Sequence, residues 1–303
     1  MNRFGRAARA LRDLGPGGWL SAIWLAVVGA AALVAPWLPL RRTQDLRNIR
    51  AAPSWSHPLG TDSRGVDMIV RVLDGARVSL LVGLLAGMLG LVVGAPIGLF
   101  AGYLRGRVDR VTVVGLDVFA AFPGIVAASA GSLVWGQSIR SLILVLGLLT
   151  APVFARVTRA AVLPLAERDF VLAARVVGSR HGRVAWRELV PNIVVPIAGY
   201  GLLAVGVLIG VEGALSFFGA GVPERYTSWG KLVAAGQERI DTAPHLSLVP
   251  AGAITITVLA LNALSDRWQR HWLFGTVRIP RPVRAPAAGR PAAAMAADEV
   301  SGR

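Results

Sequence analysis

Long apolar stretches separated by short polar ones run through almost the whole chain. A helix needs about 20 mostly apolar residues to cross the hydrocarbon core of a bilayer. Stretches that reach or approach this length are residues 19–40, 78–104, 118–138, 141–155, 189–211 and 246–265. The fourth is the shortest, and the arginines at its two ends are expected to extend toward water. The pattern predicts an all-α polytopic membrane protein with six transmembrane helices.

Composition supports one membrane domain, residues 19–275. The chain has 303 residues, of which 54% are hydrophobic and 16% charged, which is too apolar for an ordinary soluble domain. Residues 1–18 precede this domain, and their arginines followed by an apolar stretch have the look of a signal peptide. The apolar stretch is longer than that of a cleaved signal, so we expect a retained first span. Residues 276–303 are rich in Pro, Ala, Gly and Arg, which predicts a disordered tail.

The distribution of positive charge predicts the orientation in the membrane. Six spans would place both termini on one side. Of the 32 Lys and Arg residues, 21 fall in the two termini, in residues 105–110 and in residues 156–187, whereas 11 fall on the opposite side. Because cytoplasmic segments carry the excess of positive charge, we expect the termini and residues 156–187 to be cytoplasmic. No basic stretch is interleaved with aromatic residues, which argues against a nucleic-acid partner.

Small residues repeat along the second apolar stretch. Its glycines are spaced mostly four apart, and they are Gly83, Gly87, Gly90, Gly94, Gly98 and Gly102. This spacing places them on one helix face, where a neighbouring helix can approach closely in lipid. We expect tight packing inside the bundle, with a subunit interface as the alternative. Pro96 lies in the same stretch and is expected to kink it.

A polar segment, residues 161–191, separates the fourth and fifth apolar stretches. Phe170, Ala173, Ala174 and Val177 have the i, i+3, i+4 and i+7 spacing of one helical face. Gly178 is expected to end that helix. A short helix with a face of small apolar residues fits either a groove on a partner or the surface of the membrane, and the residues alone favour neither.

Ionisable residues within membrane spans often mark a substrate or ion pathway, so Asp117 and Glu212 are candidates for lining a possible translocation pathway. The alternative for Asp117 is an ion pair with an arginine such as Arg110 or Arg156, and for Glu212 a hydrogen bond to a neighbouring helix. The four histidines are scattered and no phosphate-binding loop is present. With no cysteine either, we expect no metal site, no bound cofactor and no ATP hydrolysis by this chain.

Residues 172–191 read Leu-Ala-Ala-x3-Gly-x9-Glu-x-Val-Pro, which resembles the EAA loop of ABC-importer permeases. Leu172 replaces the usual acidic residue, and Glu188 stands where isoleucine is usual. Residues 57–77 and 215–244 are similar to segments of the dipeptide, oligopeptide and nickel branch of these permeases. The resemblance covers roughly residues 18–275.

This resemblance implies a type I ABC-importer permease fold with a cytoplasmic coupling helix, in a bacterial inner membrane. The chain would form half of a pathway for di- or oligopeptides, paired with a second permease subunit. One or two cytoplasmic subunits would bind ATP and Mg²⁺, an extracytoplasmic binding protein would deliver substrate, and lipid would surround the spans. Residues 57–77 would contact that binding protein or serve as a packing scaffold. The residues expected at the ATPase contact are Phe170, Ala173, Ala174, Arg175, Gly178 and Arg180.

Other cargoes and another class of transporter stay open as alternatives. The same importer class carries nickel complexes, haem or glutathione. An ion-driven secondary transporter would need charged pairs or unwound helices repeated in two halves of the chain. Asp117 and Glu212 do not lie in matching contexts, which makes that alternative the weaker one.

Overall fold

The computed structural model describes residues 15–35, 37, 45 and 47–276. Most of the predicted N-terminal segment 1–18 and nearly all of the predicted tail 276–303 lie outside the described residues. Within these ranges the chain is helical, and its only β pairing is an isolated bridge between Thr61 and Asp67. A π-helical turn, Ala185–Leu189, connects α7 to α8. The helices are α1 (Gly15–Val34), α2 (Met68–Leu104), α3 (Gly106–Ala120), α4 (Gly124–Val134), α5 (Ile139–Leu165), α6 (Asp169–Val176), α7 (His181–Val184), α8 (Val190–Phe217), α9 (Trp229–Gln237) and α10 (His245–Thr276).

Five helical segments in the described residues are long and apolar enough to cross a membrane: α1, α2, α5, α7 to α8, and α10. The helices α3 and α4, whose axes differ by 77°, are together long and apolar enough for a sixth crossing if the bent pair is one span. The predicted six-helix architecture is therefore confirmed when this bent pair is counted as one span.

The prediction for the third span is wrong in its bounds and in its shape. The span starts at Gly106 and not at residue 118, and it is interrupted at residues 121–123. Pro123 explains the interruption, because proline has no N–H and disfavours helical backbone in the residue before it. Residues 105–110 were expected to lie outside the spans, but Asp109 is in α3 and accepts a hydrogen bond from Arg159 of α5.

The fourth span is longer than predicted for a related reason. α5 runs from Ile139 to Leu165, beyond the predicted end at residue 155. Arg156, which bounds the predicted apolar stretch, and Arg159 both lie within the helix. Each bonds a carboxylate of α3, Arg156 to Asp117 and Arg159 to Asp109. The hydropathy of the stretch therefore marked where its apolar part ends and not where the helix ends.

The glycine face of α2 packs inside the bundle, as predicted. A Cβ atom at Gly83 would lie 2.7 Å from Ile209 Cγ1 of α8. Farther along, a Cβ atom at Gly94 would overlap the backbone of Ala151 in α5 and lie 2.9 Å from Phe154 Cβ. Only glycine permits this closeness of two backbones. α2 stays helical through Pro96 over its whole length.

The two ends of the bundle have different coverings. At one end, α6, α7 and the π-helical turn cover the ends of α2 and α5. The start of α1 is at this end as well, because a Cβ atom at Gly17 would lie 2.9 Å from Arg267 Nη2 near the end of α10. At the other end lie residues 47–67, α9 and the start of α10, where His245 Nε2 is 3.4 Å from the Thr61 carbonyl. The described ends of the membrane domain therefore lie together, on the side of α6.

Candidate coupling site

The short helix α6 is fastened to the bundle by one apolar side. Val171 is fully buried and packs in a cluster with Val162 of α5 and with Val184 and Leu189 from the segment that follows. Asp169 lies in the first turn of α6 and Arg175 in its last turn, which suits the helix dipole. Since buried side chains on both sides of the Gly178 turn belong to the same cluster, α6 and the π-helical turn are attached to the bundle as one unit.

Gly178 ends α6 with a left-handed turn, as the sequence predicted. Its φ is +80°. The Gly178 N–H donates to the Arg175 carbonyl at 2.9 Å, and the Ser179 N–H donates to the Ala174 carbonyl at 3.0 Å. These two bonds form a Schellman motif, which satisfies carbonyls at the helix end and reverses the chain toward α7. The direction in which the chain leaves α6 therefore depends on one residue with a positive φ.

Tyr103, near the end of α2, holds both sides of this turn. Its side chain is buried, and the Arg175 guanidinium lies over its ring at 4.5 Å from the centroid. Arg175 Nε donates to the Tyr103 hydroxyl at 3.3 Å, and His181 Nδ1 lies 3.2 Å from the same oxygen. Sequence reasoning missed Tyr103, although an aromatic residue at the end of a span is a known sign of a membrane-interface anchor. The contact connects α6 directly to a membrane-spanning helix.

The outward face of α6 is apolar. Val176 and Val177 are 87% and 85% exposed, and Phe170 and Leu172 are also exposed. Of the predicted stripe, Phe170, Ala173 and Val177 lie on this face. Ala174 does not, because it is half-buried against the cluster around Val171. The exposed apolar face therefore includes Leu172 and Val176 but not Ala174.

Exposed arginines flank this face along the chain. In the part of the chain that the structure describes, Arg168, Arg180, Arg183 and Arg187 form no ion pair, and all are exposed. Glu167, which precedes Arg168, is paired with Arg105 at 2.6 Å. Arg175, which is among the residues expected at the ATPase contact, already contacts Tyr103. The result is an apolar patch with a positively charged rim.

Glu212 lies deep in α8 and is fully buried. The Ser79 hydroxyl of α2 donates to its Oε2 at 2.8 Å, and the Ser216 hydroxyl donates to its Oε1 at 2.7 Å. Ser79 Oγ in turn accepts from the Trp229 N–H of α9 at 3.2 Å. The predicted hydrogen bond to a neighbouring helix is therefore present, and Glu212 faces no open surface within the described chain. It joins α2, α8 and α9 at the end of the bundle opposite α6.

Asp117 forms an ion pair with Arg156, which was one of the two alternatives predicted from the sequence. Its Oδ1 accepts from Arg156 Nη2 at 2.8 Å, and the same nitrogen donates to the Leu116 carbonyl at 3.2 Å. Arg110, the other suggested partner, makes no ion pair among the described residues. The side chains of Asp117 and Arg156 nevertheless remain 63% and 44% exposed on the surface of the chain.

Residues 57–77 and the α8 to α10 connection meet at the end of the bundle opposite α6. Arg71 Nε donates to Asp62 Oδ2 at 2.6 Å, and Lys231 Nζ donates to the Pro223 carbonyl at 3.0 Å. These groups line a shallow cleft between the two segments. Burial lowers the pKa of the Lys231 ammonium, and the carboxylate of Glu224 partly opposes this shift. Among the described residues, no group of three or more His, Cys, Asp or Glu side chains could hold a metal ion.

Comparisons with known proteins identify the family. Residues 94–273, more than half of the chain, match the model of the binding-protein-dependent transport system inner membrane component. The chain belongs to this family. The matched region includes the whole candidate coupling site and the bent pair α3 and α4.

Individual relatives support the assignment. The chain is 33% identical to the glutathione transport system permease protein GsiD of Pectobacterium atrosepticum. The similarity extends over 222 residues, which are 73% of this chain and 74% of the relative. It is 31% identical over 252 residues to the dipeptide transport system permease protein DppC of Alkalihalophilus pseudofirmus, which covers 82% and 83%. Its fold is similar to that of a chain in the inward-facing MetNI methionine ABC transporter, with a TM-score of 0.56, 19% identity, and coverage of 68% of this chain and 97% of that one.

The molecule is therefore a multi-pass membrane protein and the permease subunit of an ABC importer. Such a subunit works with ATP-binding subunits and a second permease. The ABC-importer permease fold predicted from the loop at residues 172–191 is confirmed.

Proposed function

We propose that this permease forms half of a pathway for di- and oligopeptides, and that α6 docks on a cytoplasmic ATP-binding subunit. The observation that carries the proposal is the exposed apolar face of α6, held at the end of the bundle by Val171 and Tyr103. Residues Phe170, Ala173, Val177 and Leu172 would enter a groove of the ATPase. Arg180 and the other arginines of the rim would face its acidic groups. The chain itself would hydrolyse no ATP and bind no cofactor, since ATP and Mg²⁺ belong to the partner.

A partner explains this face better than the membrane surface does. An amphipathic helix that lies on a membrane turns its apolar side toward the lipid. In α6 the side toward the bundle is already occupied by Val171 and the half-buried Ala174. The remaining apolar side chains, with Val176 and Val177 the most exposed, point away from the bundle. Leaving them in water has a cost that a groove on a soluble subunit removes.

The proposed orientation places α6, the start of α1 and the end of α10 in the cytoplasm of a bacterial cell, in its inner membrane. The fold supports it, because these three elements lie at one end of the bundle. The excess of arginine at that end supports it as well. The opposite end, with residues 57–77 and α9, would then face an extracytoplasmic binding protein. Membrane lipid would cover the outer surfaces of the spans.

The class of substrate is supported by the relatives. One relative is named for dipeptide transport and another for glutathione, which is itself a tripeptide. Glutathione therefore stays as a second candidate within the same chemical class. A panel of dipeptides, longer peptides and glutathione, each tested for stimulation of ATP hydrolysis by the reconstituted complex, separates these cargoes. Stimulation by none of them would refute the proposed class.

The docking contact can be tested by cross-linking, because the chain contains no native cysteine. A single cysteine is introduced by Val177→Cys in the complete complex, and a bifunctional reagent joins it to nearby subunits. We expect a cross-link to the ATP-binding subunit. Trp55→Cys is the matched control, since Trp55 is also exposed but lies at the opposite end of the bundle. Capture of the ATP-binding subunit by Trp55→Cys and not by Val177→Cys would refute both the contact and the orientation.

A further inference from the structure

Glu212 is a fully buried carboxyl group at the junction where α9 meets α2 and α8. The Ser79 hydroxyl donates to Glu212 Oε2 at 2.8 Å, and the Ser216 hydroxyl donates to Oε1 at 2.7 Å. Ser79 Oγ in turn accepts the Trp229 N–H at 3.2 Å. Ser216 Oγ accepts the Val222 N–H at 3.3 Å. Both hydroxyl protons are therefore directed at the carboxyl group, which is the arrangement of an ionised carboxylate that accepts on both oxygens.

No cation balances this charge in the part of the chain that the structure describes, where Glu212 belongs to no ion pair. The charge is stabilised instead by the two hydroxyl groups and, through Ser79, by the beginning of α9, where Trp229 is the first helical residue. The N-terminal end of a helix carries a partial positive charge. The carboxylate and α9 thus stabilise each other only while α9 is in place.

The junction is closely packed around these hydrogen bonds. Trp229 is fully buried, and its Nε1 donates to the Val72 carbonyl of α2 at 2.9 Å. A Cβ atom at Gly75 would lie 2.9 Å from Trp229 Cδ1. A Cβ atom at Gly230 would lie 2.6 Å from Gly213 Cα of α8. Water therefore has no access to the carboxylate in this arrangement.

A buried carboxylate makes the junction a contact with two favourable arrangements. When α9 is in place, the hydroxyl groups satisfy the charge, and when α9 moves away, water hydrates it. An intermediate separation is unfavourable, because it removes a donor from the carboxylate before water reaches it. An apolar side chain at position 212 would favour the closed arrangement alone, because hydration of apolar surface is unfavourable. Glutamate therefore suits a contact that opens and closes, whereas an apolar residue suits a permanent one.

We propose that Glu212 is a positioning residue for import, which holds α9 against α2 and α8 in the resting complex and lets the whole junction open during the cycle. The helix α2 connects this junction to Tyr103 and Arg175 at the other end of the bundle. Closure restrains the helix on which α6 is anchored, so ATP hydrolysis by the partner subunits stays low while the junction is closed. The inference rests on the proposed function in one respect, namely that α6 docks on an ATP-binding subunit.

Three variants of the complete complex in nanodiscs test the proposal. Ser79→Ala leaves the buried carboxylate with one donor fewer and is expected to favour the open junction. Ser79→Ala combined with Glu212→Met removes both partners together with the charge, so this double variant is expected to stay closed. Ser265→Ala is the matched control, because Ser265 is 0% exposed like Ser79 and also bonds α8, at the Gly199 carbonyl at 2.7 Å.

Thiol accessibility reports the junction directly, because the chain contains no native cysteine. Val222→Cys is added to each variant, since Val222 is 5% exposed and its N–H bonds Ser216. Only the thiolate reacts with a methanethiosulfonate, and burial in apolar surroundings suppresses it. With Ser79→Ala we expect a reaction about tenfold faster than with Val222→Cys alone, the change that one hydrogen bond to a charged group makes in an equilibrium. The control and the double variant should react as slowly as Val222→Cys alone.

ATP hydrolysis without the binding protein reports the consequence for coupling. We expect this basal rate to rise in Ser79→Ala, and to stay at the wild-type value or below it in Ser265→Ala and in the double variant. A lower Tm of Ser79→Ala with unchanged thiol reactivity would make Glu212 a structural residue only and overturn the proposal. A double variant that reacts as fast as Ser79→Ala would overturn it too, because the charge would not be what makes the junction open. Faster thiol reaction without faster ATP hydrolysis would overturn the restraint on the ATPase.

These measurements need no cargo, which separates them from the proposed function. A complex that gives the expected thiol and hydrolysis rates, but whose ATP hydrolysis no peptide stimulates, would count against the peptide cargo and support the role of Glu212. A complex that imports peptide while Val222→Cys reacts at the same rate in every variant would confirm the cargo and overturn that role. Failure of Val177→Cys to cross-link the ATP-binding subunit would count against docking by α6, whatever the thiol rates at the junction.

Discussion

Gly178 offers the sharpest test of how α6 is held. Its φ of +80° lies in the left-handed region, and a Cβ atom added there would have no heavy atom within 4 Å. Substitution therefore changes the backbone energy and adds no clash. Three variants separate the requirements of the turn: Gly178→Asn, Gly178→Ala and Gly178→Pro.

The expected magnitudes follow from the geometry. A left-handed alanine costs about 1–2 kcal/mol, which alters the equilibrium of the turn by a factor of about 5–30. Asparagine is enriched in this region and should cost less than alanine. Proline cannot adopt the turn at all, since its φ is held near −65°. It also removes the N–H that donates to the Arg175 carbonyl at 2.9 Å. The chain would leave α6 in another direction, and α6 would lose its position relative to Tyr103.

The assay is peptide import per ATP hydrolysed, in liposomes that contain the complete complex with its binding protein. We expect the wild type and Gly178→Asn to be similar, Gly178→Ala to be lower, and Gly178→Pro to hydrolyse ATP with little import. Equal values for asparagine and alanine would refute the reasoning from φ. Full import by Gly178→Pro would remove the coupling role of α6 altogether.

Three further variants test other parts of the molecule. Gly94→Ala places a methyl group against the Ala151 backbone, which should lower the free energy of unfolding by about 1–3 kcal/mol and the Tm in detergent by about 2–6 °C. Gly210→Ala is the control and should not lower the Tm, because a Cβ atom at Gly210 has open space around it. Glu212→Ala leaves the buried hydroxyls of Ser79 and Ser216 without their acceptor, which costs about 1–3 kcal/mol of stability for each hydroxyl. The Tm of Glu212→Ala should therefore fall well below that of Glu212→Gln, and equal Tm values would contradict the hydrogen-bond network. Tyr103→Phe keeps the ring under the Arg175 guanidinium but loses the hydroxyl contacts, so import per ATP hydrolysed should fall less than in Tyr103→Ala. A smaller fall in Tyr103→Ala than in Tyr103→Phe would exclude the ring contact as the main anchor.

Periodic features of the sequence predicted the structure well. The glycines of α2 repeat at the spacing of one helix face, and the structure packs that face against α5 and α8. Gly178 stands where the apolar spacing of α6 stops, and it does end the helix with a positive φ. Such features depend on the residue itself and on its near neighbours, so a single sequence contains them.

Features that depend on distant parts of the chain could not be read in the same way. Residues 105–110 look like a loop because of their charges, and only the approach of Arg159 shows that Asp109 belongs to a helix within the bundle. Ala174 has the spacing of the exposed stripe, yet the cluster around Val171 covers it. The interruption at Pro123 is different, because a proline followed by a glycine in an apolar stretch is a local signal of a break. Hydropathy averaged over the stretch conceals that signal.

The length of α2 gives the coupling site a direct connection to the opposite end of the bundle. Tyr103 contacts Arg175 near one end of this helix, and Ser79 bonds both Glu212 and the Trp229 N–H nearer the other. The two residues are separated by about 36 Å of helix at 1.5 Å per residue. Between them, the glycines of α2 bring its backbone against α5 and α8, where close packing leaves little room for independent movement. A displacement of α6 imposed by ATP-binding subunits therefore has one continuous helix through which to reach α9, the element that we place on the side of the binding protein.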